Sequence, residues 1–220
     1  MPRLSLASIA LLVAFAATLG GCSTAYYKTM EMFGEHKRDI LVDRVEEARD
    51  SQNEAKEQFQ SALERFTAVT GFKGGKIEEK YNELRDAFEK SEDRAEAVHD
   101  RVEAVDDVAQ ALFKEWEKEL DQYTNASLRA SSEQQLRDTR TRYAQLIAAM
   151  RKAEARMTPV LNAFRDQVLY LKHNLNARAI ASLQTEVNAI ESEVARLVAE
   201  MEKSIAEADA FIQQMGTDGA

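Results

Sequence analysis

The chain has 220 residues, with 38 acidic and 29 basic side chains, a formal net charge of −9 and a single cysteine. That balance argues against a nucleic-acid partner, which needs clustered Lys/Arg to displace counterions, and one cysteine excludes an internal disulfide. Only two prolines occur, the remainder is rich in strong helix formers, and no β-branched or aromatic run alternates with period two, so no strand is expected.

The first segment has the three parts of a secretory leader: Arg3, an apolar run from Leu4 to Leu19, and small residues before a presumed cut. An uncleaved anchor is the competing reading. The run falls short of the roughly 20 residues needed to cross a bilayer as a helix, and Gly20-Gly21 ends it. Leu19-Gly20-Gly21-Cys22 resembles the bacterial lipobox, with Leu19, Gly20 and Gly21 as the cleavage motif and Cys22 as the lipid attachment site. That resemblance implies thioether diacylglycerol on Cys22, cleavage after Gly21 and acylation of the new amino terminus. Several acyl chains make anchoring persistent where one binds only marginally. In Gram-negative lipoproteins an aspartate after the cysteine signals inner-membrane retention; Ser23 stands here. The expected address is therefore the periplasmic face of the outer membrane, with the inner membrane as the alternative. Cleavage would remove Arg3 alone among the charged residues, taking the net charge from −9 to −10.

After a tether over 22–34, four seams with three-four spacing follow. The first picks out Leu41, Val45, Ala48, Gln52, Ala55, Phe59, Ala62, Phe66 and Val69, and Thr70 to Gly75 supplies glycines for a reversal. The second runs Ile77, Tyr81, Leu84, Phe88, Ser91, Ala95, Val98, Val102, Val105, Ala109, Leu112 and Trp116, then Leu120 and Tyr123. A break is expected over Thr124–Ser131, with Ser132 and Gln135 as a capping box for the next helix. The third seam is Leu136, Arg140, Tyr143, Ile147, Met150, Glu154, Met157, Leu161, Phe164, Val168, Leu171 and Leu175. Pro159 within it predicts a kink or a restart. The fourth is Ile180, Leu183, Val187, Ile190, Val194, Leu197, Met201, Ser204, Ala208 and Phe211. It is one residue out of phase with the third, which suggests a break near His173–Asn176 with Asn176 as N-cap and Leu175 and Ile180 as a staple; a continuous helix is the alternative.

Sustained spacing of this kind is the signature of helices packed side by side. The expected fold is all-α: an elongated antiparallel helical bundle or coiled coil of three to four long helices. The expected organisation is a cleaved leader over 1–21, the lipidated tether over 22–34, the coiled-coil domain over 35–215 and a polar tail over 216–220.

Motifs that carry chemistry are sparse. Glu96 and His99 have the Glu-x-x-His spacing that sets two metal ligands on one helical face, but no second such motif occurs, so the pair is a weak metal candidate and a surface role is favoured. Gly71 to Ile77 superficially resembles a phosphate loop. Thr70 and Ile77 stand where glycine and Ser/Thr are required, and no strand precedes it, so it reads as a turn between helices. No catalytic residue is assigned and the chain is read as non-enzymatic, with no cofactor beyond the covalent lipid on Cys22. Between Met157 and Leu183 a proline, three asparagines, His173 and Tyr170 gather among apolar residues. A kink followed by a capped turn is the favoured account; a partner-docking surface formed by Tyr170, His173, Asn174 and Asn176 is the functional alternative.

The lipobox, the stretch from Tyr26-Tyr27-Lys28 to Arg38-Asp39-Ile40-Leu41-Val42-Asp43-Arg44-Val45, Thr70-Gly71-Phe72, and Leu169-Tyr170-Leu171-Lys172-His173-Asn174-Leu175-Asn176-Ala177 together resemble an uncharacterised family of bacterial lipoproteins, a domain of unknown function (DUF2959). The resemblance covers essentially the whole mature chain. It implies a helical, coiled-coil-rich lipoprotein and transfers no catalytic residue. The leading functional expectation is a lipid-anchored envelope scaffold or adaptor whose partner is an envelope protein or peptidoglycan. The alternatives are direct membrane or lipid binding by the bundle, which an acidic surface disfavours, and a helical metal-binding protein resting on Glu96 and His99. Seams of this type also pair between copies, so a homo-oligomer is a further expectation.

Overall fold

In a computed structural model, residues 37–71 and 76–217 are described. Leu19, Gly20, Gly21, Cys22, the tether and most of the first glycine-rich turn lie outside them. The described residues form five helices and no strand: α1 (Lys37–Thr70), α2 (Ile77–Leu120), α3 (Ala126–His173), α4 (Ala177–Leu183) and α5 (Val187–Thr217). At 1.5 Å per residue the 48 residues of α3 span about 72 Å.

The four long helices close into a ring in which α1 packs on α2 and α5, and α3 packs on the same two. Cross-helix ties show that neighbours run antiparallel. Between α1 and α2 they pair Lys37 with Glu115 at 2.8 Å, Glu47 with Arg101 at 2.7 Å and Gln58 with the Ala87 carbonyl at 3.0 Å, one number rising as the other falls. Between α2 and α3, Glu117 meets Arg140 at 2.6 Å and Glu92 meets Arg165 at 2.7 Å. Arg49 of α1 reaches Asp209 of α5 at 3.1 Å, and Lys152 of α3 reaches Glu200 of α5 at 2.8 Å. The result is an up-down-up-down bundle with the hydrophobic stripes turned inward.

All nine residues of the first seam are buried, including Gln52. The whole fourth seam is buried as well, except Val187, which packs half-buried against the core. The second seam holds for most of its length, but Tyr123 leaves the helix and is 42% exposed. The capping box at Ser132 is corrected. α3 starts at Ala126, where the Asn125 side chain accepts from the Ser127 and Leu128 amides, and Ser132 is a buried mid-helix residue whose hydroxyl accepts a hydrogen bond from Trp116 Nε1 at 2.8 Å. Asn125 is the better cap because the turn is short enough for it to hold helical entry at once.

One column of the third seam is shifted by a residue. Thr139, Leu146, Ala153 and Val160 are buried where Arg140, Ile147, Glu154 and Leu161 were expected. The shift puts Arg140 and Glu154 on the flank, where they tie α3 to α2. No restart occurs at Pro159, which sits inside α3. Its missing N–H deprives the Ala155 carbonyl of a partner, yet both residues are on the exposed face, where water can serve instead. The helix does break after His173, as the phase slip suggested, and Asn176 caps α4. Leu175 falls in the break and is 40% exposed instead of closing the seam.

Candidate functional site

The end of α3 is built by its helical period. Val168 and Leu171 turn into the core, which sends Leu169 and Tyr170 outward, 50% and 41% exposed. Asn174 then leaves helical geometry at φ −134°, ψ 58°. Its backbone N–H donates to the Leu171 carbonyl at 3.0 Å and its side-chain amide donates to the Tyr170 carbonyl at 2.9 Å, so two of the carbonyls left open by the last turn are occupied. Two residues later, Asn176 Oδ1 accepts from the Arg178 and Ala179 amides at 3.1 and 3.0 Å and starts α4.

That short helix lies across the end of the bundle. Ala179, Ile180 and Leu183 are buried, and just past it Gln184 Nε2 donates to the Thr70 carbonyl at the end of α1, at 2.8 Å. The connection from α3 to α5 is thereby fastened to the far end of α1. Of the four residues singled out from sequence here, Tyr170 and His173 present side chains to solvent, while the amides of Asn174 and Asn176 are engaged in capping. What the sequence did not isolate is the company they keep: Leu169, Lys172, Leu175 and Arg178 are also exposed. An absence of Asp and Glu from 167 to 185 was the available signal.

Elsewhere the polar chemistry is spent on holding helices together. His99 Nδ1 is hydrogen-bonded to Glu154 Oε1 at 2.8 Å across α2 and α3. The bond and the charge of Glu154 raise the imidazole pKa above its ordinary value. Glu154 is thus the carboxylate that His99 meets, and among the described residues no group of three or more His, Cys, Asp or Glu is arranged to hold a metal.

A second cluster escaped the sequence reading because it joins Tyr143 of the third seam to polar residues on the flanks of two helices. Asp106 accepts from the Tyr143 hydroxyl, from Gln110 at 3.2 Å and from Arg151 at 2.5 Å. Phe113 packs edge-on to Tyr143 with centroids 5.4 Å apart, beneath the Arg140 guanidinium. Burial pushes the Asp106 pKa upward, but the hydrogen bonds from Tyr143 and Gln110 and the charge of Arg151 outweigh it, and the carboxyl ends below its ordinary value. Tyr143 is raised, by burial first and by its bond to Asp106 second, and stays protonated. An ionised acceptor held by Tyr143 and Arg151 across the interface is a strut between α2 and α3.

An open groove of about 330 Å³ lies between α3 and α5 near the same end, lined by Ala163, Asp166, Glu186, Ile190, Glu193 and Arg196 among others. Arg196 is bound to Glu193 at 2.9 Å and to Ser192. No helix among the described residues is long and apolar enough to cross a membrane.

The model of the family described as "Protein of unknown function (DUF2959)" matches residues 26–215. No curated protein and no solved structure matches the chain.

Proposed function

Since the chain belongs to the DUF2959 family over residues 26–215, a family whose description leaves the activity open, we propose a role from its own residues: a lipid-anchored, non-enzymatic scaffold or adaptor of the cell envelope. Cys22 is its lipid attachment site, the address is the periplasmic face of the outer membrane, and the bundle carries contact surfaces away from the bilayer toward an envelope protein or peptidoglycan.

The observation that carries this reading is the placement of the two ends. α1 begins at Lys37, beside Glu115, so the chain joins the described bundle at that end. Tyr170, His173 and their exposed apolar neighbours stand at the other, the length of α1 away; its 34 residues span about 51 Å. The His99–Glu154 and Asp106–Tyr143–Arg151 groups between them act as ties that keep the rod in register.

A photo-crosslinking side chain at Tyr170, with a second at Arg156 on the exposed flank of the shaft as control, tests the reading in intact cells. A defined adduct at Tyr170 and none at Arg156 is the expected result. Capture of no envelope component, whether protein, peptidoglycan or lipid, from either position would remove the adaptor role. Cys22→Ser should shift the protein from the membrane to the soluble fraction with its helicity unchanged.

A further inference from the structure

The end of the bundle opposite Lys37 joins an acid-free stretch of sequence to exposed apolar and basic side chains. In a chain with 38 acidic residues, none falls within 65–77 or within 167–185. These two runs are far apart in sequence, and the Gln184–Thr70 hydrogen bond at 2.8 Å joins the end of α1 to the segment after α4. Into the second run are set three apolar side chains turned to solvent, Leu169, Tyr170 and Leu175, and two exposed cations, Lys172 and Arg178. Neither cation is ion-paired among the described residues, so both charges face solvent without a carboxylate to neutralise them.

We infer that this tip is a docking surface for a lipid bilayer with anionic headgroups, in which Leu169, Tyr170 and Leu175 enter the headgroup boundary and Lys172 and Arg178 meet the phosphates. Apolar and tyrosine side chains beside Lys and Arg are the composition of segments that lie at a membrane interface, and the long stems of Lys and Arg let the charge stay at phosphate level while the stem is buried. Charge also sets the direction of approach. Asp166, Glu186, Glu78 and Glu79 stand just behind the tip, Lys76 is tied to Glu79 at 3.0 Å, and the chain carries −9 overall, so an anionic surface repels the flanks and accepts the end alone. The nearby α3–α5 groove is acidic and lies on the flank, where it would repel the same surface. For which bilayer the tip meets, the inference rests on the anchored rod: a bundle held at the Cys22 end and standing off its own bilayer presents the tip to a second membrane surface.

The test uses the full chain extracted from cell membranes and reconstituted into phosphatidylcholine donor vesicles. Acceptor vesicles of phosphatidylcholine, with or without phosphatidylglycerol, are added and their co-flotation with donors is measured. Acceptors containing phosphatidylglycerol should be captured and neutral ones should not. Lys172→Glu with Arg178→Glu should reduce capture roughly tenfold or more, because each basic group near an anionic surface contributes a several-fold effect. Leu169→Ser with Tyr170→Ser should reduce it at unchanged helicity. Equal capture of both acceptors, capture indifferent to all four substitutions, or capture of neither, as an acidic protein partner would give, overturns the inference. A chain that fails to enter the donors indicts the anchor; direct sedimentation of that unanchored chain with the same acceptors and the same variants then decides the tip.

Discussion

The two ends of the bundle solve one problem with one residue type and finish differently. At the Lys37 end, α2 passes to α3 through Asp121–Asn125, and Asn125 caps the new helix. At the far end, α3 passes to α5 through Asn176, which caps α4 in the same way. The first turn leaves Tyr123 and Leu128 exposed amid Glu115, Glu117, Glu119 and Asp121. The second inserts α4, which buries Ala179, Ile180 and Leu183 over the core and holds Leu169, Tyr170 and Leu175 outward in an acid-free setting. Capping chemistry therefore decides where helices start, while connection length and charge decide what an end can do.

The comparison can be broken most forcefully at Leu183, which is fully buried. Leu183→Ala should cost about 2–5 kcal/mol, the range for emptying a core leucine site, read by urea unfolding. Leu128→Ala, at a side chain 58% exposed, should stay within about 0.5 kcal/mol. Similar losses at both would mean that α4 does not close the core.

The shaft provides a reference between the ends. Asp106 has a lowered pKa in the folded state, so its contribution is present above the ordinary carboxylate range and is lost as pH falls through the lowered folded value. Asp106→Asn should reduce stability at neutral pH by about 1–3 kcal/mol, since the Tyr143 hydroxyl and Arg151 lose a charged acceptor. It should also flatten the decline on acidification, with melting curves followed from neutral to acidic pH. A parent-like slope in the variant would remove Asp106 as the source.

Next in size are the two caps. Asn176→Ala and Asn125→Ala should each cost about 1 kcal/mol. Hydrogen exchange sharpens the contrast: loss of Asn176 should raise exchange in α4 and at the start of α5, while loss of Asn125 should fray only the first turn of α3. Smallest is Leu169→Ser, an exposed site expected to move stability by no more than about 0.5 kcal/mol while lowering vesicle capture. A large loss of stability would show that Leu169 packs instead of docking.

Much of this was legible before folding because a buried stripe on a helix repeats with the helical period. The first and fourth seams, the reversal after Thr70 and the cap at Asn176 follow from local spacing and side-chain chemistry. Between Leu136 and Val160 the sequence offers two adjacent columns, Leu146 or Ile147 and Val160 or Leu161, each apolar enough to face inward. Ala153 beside Glu154 was the discriminating signal. Ser132 shows the opposite limit: a residue with good capping chemistry is used in the core because a tryptophan donor on another helix needs an acceptor.

The sequence by itself determined an all-α chain with inward stripes and the approximate places where helices break, because these depend on periodicity and on backbone groups a few residues apart. Only the tertiary structure decided which column of α3 faces inward, which carboxylate His99 meets, and that residues near Thr70 and near Arg178 share one end. Those outcomes depend on neighbours brought together from distant parts of the chain, whose packing and charge no local window contains.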